Sequence, residues 1–278
     1  MDIGRRAALA ALLAAGLVPC SGARAANGTA FANSTALPSG PRPPASLLGG
    51  EIRRLPTSRR VVALTFNAAW DEAGIDTVLA ELRRRGLPGT FFPTGAFADA
   101  HPAAVRTIGA AHGLGNHSYS HPHFEGLGTA QRVEEVRRAD AAIRTASGTE
   151  PLPFFRFPYS ATTRDSVADV NDLGYAAIEF TADTNGYLGP QGGMSVEAAA
   201  GRAIDALAPG AIIQMHVGSN GDGIVLDAEA LPLIIDAAEA DGYTIIDLRE
   251  FLVPQGVSSK WRRPPEGRGR PHPRPGRA

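Results

Sequence analysis

"VVALTFNAAWDEAGIDTVLAELRRRGLPGTFFPT", residues 61–94, contains one full repeat of the pattern that decides the fold. "VVALTF" (61–66) is a short, uncharged, β-branched run, which reads as a buried strand. "DTVLAELRRRG" (76–86) puts Val78, Leu79 and Leu82 at helical spacing and closes on a glycine, a helix with its stop signal. "GTFFPT" (89–94) is a second strand. Two strands joined by a helix of this length pair in parallel, because an antiparallel pair would need only a tight turn.

Downstream the alternation continues. Helices are expected at 102–113, 129–148, 164–174, 195–210 and 227–242, and strands at 153–157, 175–180, 211–216 and 243–248. Ser195 is the N-cap of the fourth of these helices, with Glu197 in its first turn. Strand-then-helix order from residue 61 to 248 implies an α/β domain with a parallel sheet, either a barrel or doubly wound. No internal sequence repeat is present.

The flanks read differently. Arg5 and Arg6 precede the apolar run Ala7–Val18, and Ala23-Arg24-Ala25 offers a small-x-small cleavage site, so residues 1–25 read as an export signal. The run is too short to span a bilayer, which takes about 20 residues. The arginine pair admits the twin-arginine route, and Cys20, after Pro19, is a poor fit to a lipid anchor. Residues 26–58 are rich in Pro, Gly, Ser and Ala and read as a flexible linker. Residues 255–278 form a basic Pro/Arg-rich tail of net charge +6, suited to electrostatic contact with an anionic cell wall or membrane surface. Residues 59–254 remain as a single catalytic-type domain. The whole chain carries −1 and residues 1–25 carry +2, so the part between them and the tail is at −9. That charge argues against nucleic acid as a partner. Cys20 is the only cysteine, so once the signal is cleaved any metal must be held by His, Asp or Glu. A secreted, periplasmic or wall-associated location follows as the expectation.

The chemistry concentrates at strand C-terminal ends, where α/β barrels place their active sites. After 61–66 come Asn67, Trp70 and Asp71. "GNHSYSHPHF" (115–124) holds three of the seven histidines, and within it His117 and His121 are four residues apart. On a helical turn that spacing points both rings one way. Two imidazoles and one carboxylate make an open zinc-type site. Arg156 and Tyr159 follow the next strand, and a buried arginine there calls for a carboxylate partner. Asp183 follows the strand at 175–180 and reads either as a turn former or as the carboxylate that orients His216. His216 ends the strand at 211–216 and reads either as a satisfied core histidine or as a general acid.

These residues resemble the motifs of the polysaccharide deacetylases, carbohydrate esterase family four. "TFNAAW" (65–70) is similar to that family's Thr-Phe-Asp-Asp-Gly, "HSYSH" (117–121) to His-Ser/Thr-x-x-x-His, and "RFPY" (156–159) to Arg-x-Pro-Tyr. "DTNGY" (183–187) partly matches Asp-Ser-x-Asp-Trp, and "IQMH", ending at His216, resembles Leu-x-His. The similarity spans roughly residues 60–250. It implies a distorted (β/α) barrel of about seven parallel strands. It also implies a divalent-metal hydrolase, usually zinc-dependent, that removes N-acetyl groups from N-acetylglucosamine polymers such as peptidoglycan or chitin-like glycans. By position, His117 and His121 become metal ligands, His216 the general acid and Arg156 the residue that orients the base. Pro158 and Tyr159 shape the pocket, and the Tyr159 amide faces the oxyanion.

The sequence departs from this pattern in its acids. The base aspartate falls on Asn67 and the metal-binding aspartate on Ala68. The fourth motif's second aspartate falls on Gly186 and its tryptophan on Tyr187. Asp71 is the expected substitute as metal ligand or base, with Asp183 as a second candidate base. Asn67, Trp70, Pro158, Tyr159 and Tyr187 are expected at the substrate. Two other functions stay open: a non-catalytic glycan-binding protein on the same scaffold, and a metal-dependent amidase or esterase for a small acyl substrate.

Overall fold

The computed structural model describes residues 42–252. The export signal, the tail and most of the linker's first half lie outside the described residues. Nine strands and seven α-helices alternate along this stretch. The strands are β1 (Glu51–Ile52), β2 (Val61–Ala68), β3 (Thr90–Pro93), β4 (Gly113–Leu114), β5 (Phe154–Phe155), β6 (Ala176–Ile178), β7 (Ala182–Asp183), β8 (Ala211–His216) and β9 (Thr244–Ile246). The helices are α1 (Ile75–Arg85), α2 (Gly95–Ala100), α3 (Pro102–Ala111), α4 (Thr129–Ser147), α5 (Arg164–Asp172), α6 (Val196–Asp205) and α7 (Leu226–Ala240).

Every strand ladder is parallel. One sheet runs β4-β3-β2-β8-β7 with β9 also on β2, and a second runs β1-β6-β5. Single bridges, Asn116 to Phe155 and Arg54 to Ala211, join the two sheets at both sides and close a distorted barrel. β2 is the central strand and is buried along its whole length. Its period of two splits the core. Val62, Leu64, Phe66 and Ala68 face the helix layer, while Val61 and Ala63 face the cluster formed with Phe92, Phe154, Ile178, Ile212 and Ile246. Further along, the inner face turns polar, first at Thr65 and then at Asn67. β8 does the same, with Ile212 followed by Gln214 and His216. The register pairs Thr65 with Gln214 and Asn67 with His216, so the polar end of one strand lies beside that of its neighbour.

Three short strands, β1, β4 and β7, and helix α2 were not legible in the sequence. Two-residue strands carry no period. Helix α2 is six residues long and is held by its cap, where the Thr94 hydroxyl accepts from the Phe97 amide at 3.1 Å. The linker reading also needs correction. From residue 42 the chain is already structured: β1 pairs with β6, Leu55 donates to the Gly210 carbonyl, and Leu47 and Leu55 are buried in the inner core. Composition alone read this stretch as a spacer, but its few leucines cover the end of the barrel interior.

Candidate active site

The histidine loop is not helical. Ser118 and His121 sit in the left-handed region, at φ 66° and 60°, so the two imidazoles converge through a folded loop rather than a helical turn. Non-glycine residues hold such a backbone only where their surroundings over-determine it. Here Asn116 accepts from the Ser118 amide and donates to the Val136 carbonyl. Glu135 of α4 takes the amides of Tyr119 and Ser120 and the Ser120 hydroxyl. The Ser118 hydroxyl accepts from the His121 amide. Glu135 and Asn116 were not singled out from sequence, because a helix-face glutamate and a lone asparagine look ordinary.

The result is a close pair, with the His117 and His121 rings 4.8 Å apart and nearly perpendicular. His117 Nδ1 lies 2.8 Å from the Arg156 carbonyl, which can only accept, so Nδ1 carries the proton and Nε2 keeps its lone pair. A metal-ligating histidine is oriented in this way. His121 Nδ1 is buried without a hydrogen-bond partner. Burial holds both rings neutral: His117 well below the ordinary imidazole value, His121 down to about 4, with His216 nearby opposing charge on each.

Arg156 is completely buried. Its guanidinium donates to the Ile178 and Glu179 carbonyls and to Asn67 Oδ1, and lies 4.2 Å over the Phe92 ring. The expected carboxylate partner is replaced by an amide. Burial lowers its pKa to about 10, while Glu179 and Asp183 act on it at longer range. From Arg156 a buried polar line crosses the strand ends. Asn67 Oδ1 accepts from Arg156, Asn67 Nδ2 donates to Gln214 Oε1, and Gln214 Nε2 donates to Asp183 Oδ2. Asp183 Oδ1 accepts from the Asn185 amide and lies 3.9 Å from His216 Nδ1. Tyr187 packs over His216, with ring centroids 4.5 Å apart.

Asp71 is not where the sequence put it. Its carboxylate accepts from the Ser219 amide and hydroxyl and from the Ala73 amide. Burial pushes its pKa up, but these hydrogen bonds outweigh that and leave it below the usual value. The side chain ties the loop carrying Trp70 to the loop after β8. No three His, Cys, Asp or Glu side chains among the described residues are placed to share a metal. The donors that remain are the two neutral imidazoles, which fit a divalent cation as a two-residue set with its other positions left to water or substrate.

Aromatic groups line the approach. Trp70 and Tyr159 are the two most exposed large hydrophobic residues described, at 56% and 57%. Both pack on His121, at 5.3 and 4.6 Å between ring centroids, and His123 stacks flat on Tyr159 at 4.0 Å. Tyr159 and Ser160 are left-handed, at φ 58° and 51°. The wholly buried Glu179 holds that turn by accepting from the Phe157 amide and the Ser160 hydroxyl. Burial raises its pKa, against the pull of Arg156. Glu179 was missed, although an acid inside the apolar run "YAAIEF" was the signal for it.

The polysaccharide deacetylase family model matches residues 54–178. A chitooligosaccharide deacetylase from Bradyrhizobium sp. (strain ANU 289) is 30% identical over 202 residues, covering 69% of this chain and 90% of that protein. The chain belongs to the polysaccharide deacetylase family. The family's enzymes are hydrolases of N-acetyl amide bonds. A peptidoglycan-N-acetylglucosamine deacetylase from Bacillus cereus is 24% identical, covering 69% of this chain and 68% of that one. Among solved structures, a Bacillus anthracis protein described as a CE4-family pseudoenzyme superposes with a TM-score of 0.66 at 24% identity, over 74% of this chain and 69% of that one. That likeness shows the distorted barrel.

The neutral histidines give a first prediction. Two imidazoles of ordinary pKa would lose about 100-fold in metal affinity between roughly pH 7.5 and 5.5, through proton competition. Here the loss is expected to stay under about twofold, because both rings are already unprotonated in that window. Zinc titration of the metal-free protein at the two pH values, followed calorimetrically, checks it. Asp71→Asn is expected to leave zinc affinity within about twofold, since Ser219 and not the histidine pair holds that carboxylate.

Proposed function

We propose that the chain is a metal-dependent N-deacetylase of amino-sugar polymers, with peptidoglycan the first candidate substrate and chitin-like oligomers the second. One observation carries the reading: Trp70 and Tyr159, the two most exposed large hydrophobic residues among those described, both flank His121 beside His117. Sugar rings stack on exposed aromatic faces, and a small acyl substrate needs no such walls. The names of the Bradyrhizobium and Bacillus cereus relatives point to the same substrates.

In this reading His117 and His121 hold a divalent metal, most simply zinc. Bound there, it supplies Lewis-acid polarisation of the acetamide carbonyl. Tyr159 and Pro158 wall the acyl pocket, and the Tyr159 amide is the candidate donor to the oxyanion. Arg156 fixes the Asn67 amide, which can donate or accept a hydrogen bond but cannot take a proton. His216 stands beside the histidine pair and is the candidate proton carrier. It serves as acid to the leaving amine and, in the absence of an aspartate at 67, as base to the attacking water. Asp183 lies 3.9 Å from its Nδ1, with both carboxylate oxygens bonded elsewhere.

A second reading, a non-catalytic glycan-binding protein, is favoured by Asn67 and by the engagement of Asp71 with Ser219. Acetate release from N-acetylglucosamine oligomers and peptidoglycan by the zinc-loaded protein separates the two. Release establishes the enzyme. Zinc binding without release, where small acyl amides and esters are cleaved, moves the assignment to the small-acyl hydrolase. Retention on immobilised glycan with neither zinc nor release gives the binding protein. We also propose export through residues 1–25 and tethering of the basic tail to an anionic wall or membrane surface. Fractionation of cells expressing the full chain and a variant lacking residues 255–278 tests both.

A further inference from the structure

The glycine at 186 stands where the deacetylase motif quoted above has its second aspartate. A Cβ built on Gly186 would lie 2.2 Å from Asp227 Oδ1 and 2.5 Å from its carboxyl carbon. No side chain of any kind fits at 186 while Asp227 is in place. The volume that residue 186 would fill from the loop after β7 is filled by a carboxylate reaching in from the first turn of α7.

Asp227 is fully buried. Its Oδ2 accepts from the backbone amide of His216 at 2.8 Å and stands 3.7 Å from His216 Nδ1. Its Oδ1 and His216 Nδ1 are both buried and without hydrogen-bond partners. Buried polar atoms are rarely left unpaired, and two of them here belong to residues already in contact. The other nearby carboxylate, Asp183, is occupied at both oxygens, by the Asn185 amide and by Gln214. The N-terminal turn of α7 favours a negative charge at Asp227, and no side chain caps that helix.

We propose that Asp227 is the positioning residue for His216, a carboxylate relocated from the loop at 186 to helix α7. It holds the imidazole with Nδ1 protonated and Nε2 turned toward the substrate. This rests on the deacetylase reading for its role in turnover, but not for the contact itself. Nothing along the chain marks it, since an aspartate in the first turn of a helix is ordinary.

The test uses the full chain. Asp227→Asn keeps the shape and an acceptor for the His216 amide but removes the charge. In the zinc-loaded protein it is expected to lower kcat for acetate release by about 10- to 100-fold, with KM changed less than about twofold. Gly186→Asp alone is expected to fold poorly, because its side chain meets Asp227. Combined with Asp227→Ala, it is expected to recover stability and at least about tenfold of the kcat lost in Asp227→Ala. Imidazole ¹⁵N resonances of His216, read in the metal-free protein near pH 8, give a measure independent of activity. The Nδ1-protonated tautomer is expected in the wild type and a mixture in Asp227→Asn. An unchanged His216 tautomer in Asp227→Asn overturns the proposal whether or not the protein releases acetate. Absence of acetate release from the wild type overturns the deacetylase reading and leaves the tautomer comparison to decide Asp227.

Discussion

Asn67→Asp is expected to raise acetate release by about 100-fold, within the roughly 10²- to 10⁴-fold range that a positioned general base contributes. Asn67 ends the polar face of β2, in register with His216, and is 6% exposed. Its Oδ1 receives the Arg156 guanidinium at 3.1 Å. An aspartate is nearly isosteric and would meet that guanidinium as an ion pair, which keeps it ionised and able to accept a proton from water. The buried arginine would then gain the carboxylate partner its charge calls for. The one contact at risk is with Gln214, whose Oε1 accepts from Asn67 Nδ2. Its disturbance is worth about 1 kcal/mol. The check is kcat on N-acetylglucosamine oligomers across a pH series, where the variant gains an acid limb as the new carboxylate protonates. No gain in kcat would mean that the step limiting turnover is not proton removal, and His216 would then carry both proton transfers unaided.

The His117→Ala, His121→Ala double variant is expected to lose at least about 10³-fold in kcat/KM, the scale of removing an electrostatic centre from a water-excluded site. Zinc stoichiometry, measured on the dialysed protein, is expected to fall to background. Stability falls as well, and for a separate reason. His117 is 2% exposed and donates to the Arg156 carbonyl, so its truncation leaves a void and an unpaired buried acceptor, at a cost of about 2–4 kcal/mol. His121 is less enclosed and makes no side-chain hydrogen bond at Nδ1, so His121→Ala alone is the cleaner probe. That single variant is expected to lose metal while unfolding within about 1 kcal/mol of the wild type. If it unfolds early, the loss of turnover in the double variant reports folding, and the metal assignment must rest on the zinc measurement.

How much of this was legible in the sequence can be traced residue by residue. The long elements follow from periodicity: α4 was expected at 129–148 and lies at Thr129–Ser147, and β8 was expected at 211–216 and lies at Ala211–His216. The convergence of His117, His121, Arg156 and His216 follows from motifs placed at strand ends. The route of convergence did not follow, because a spacing of four residues is common to a helical turn and to a loop bent by two left-handed residues. The role of Asp71 did not follow either. In sequence it is four residues from Asn67, while in space its partner is Ser219, 148 positions on.

The sequence by itself determined the parallel α/β order, the family, and which residue types reach the C-terminal strand ends. It did so because strand period, helix period and short motifs are local properties, written within a few residues of one another. Tertiary structure alone decided which carboxylate serves which partner. Asp71 went to Ser219, Glu179 to the Tyr159 turn and Asp227 to His216, because a buried charge settles where donors from distant segments meet it, and no spacing along the chain records that meeting.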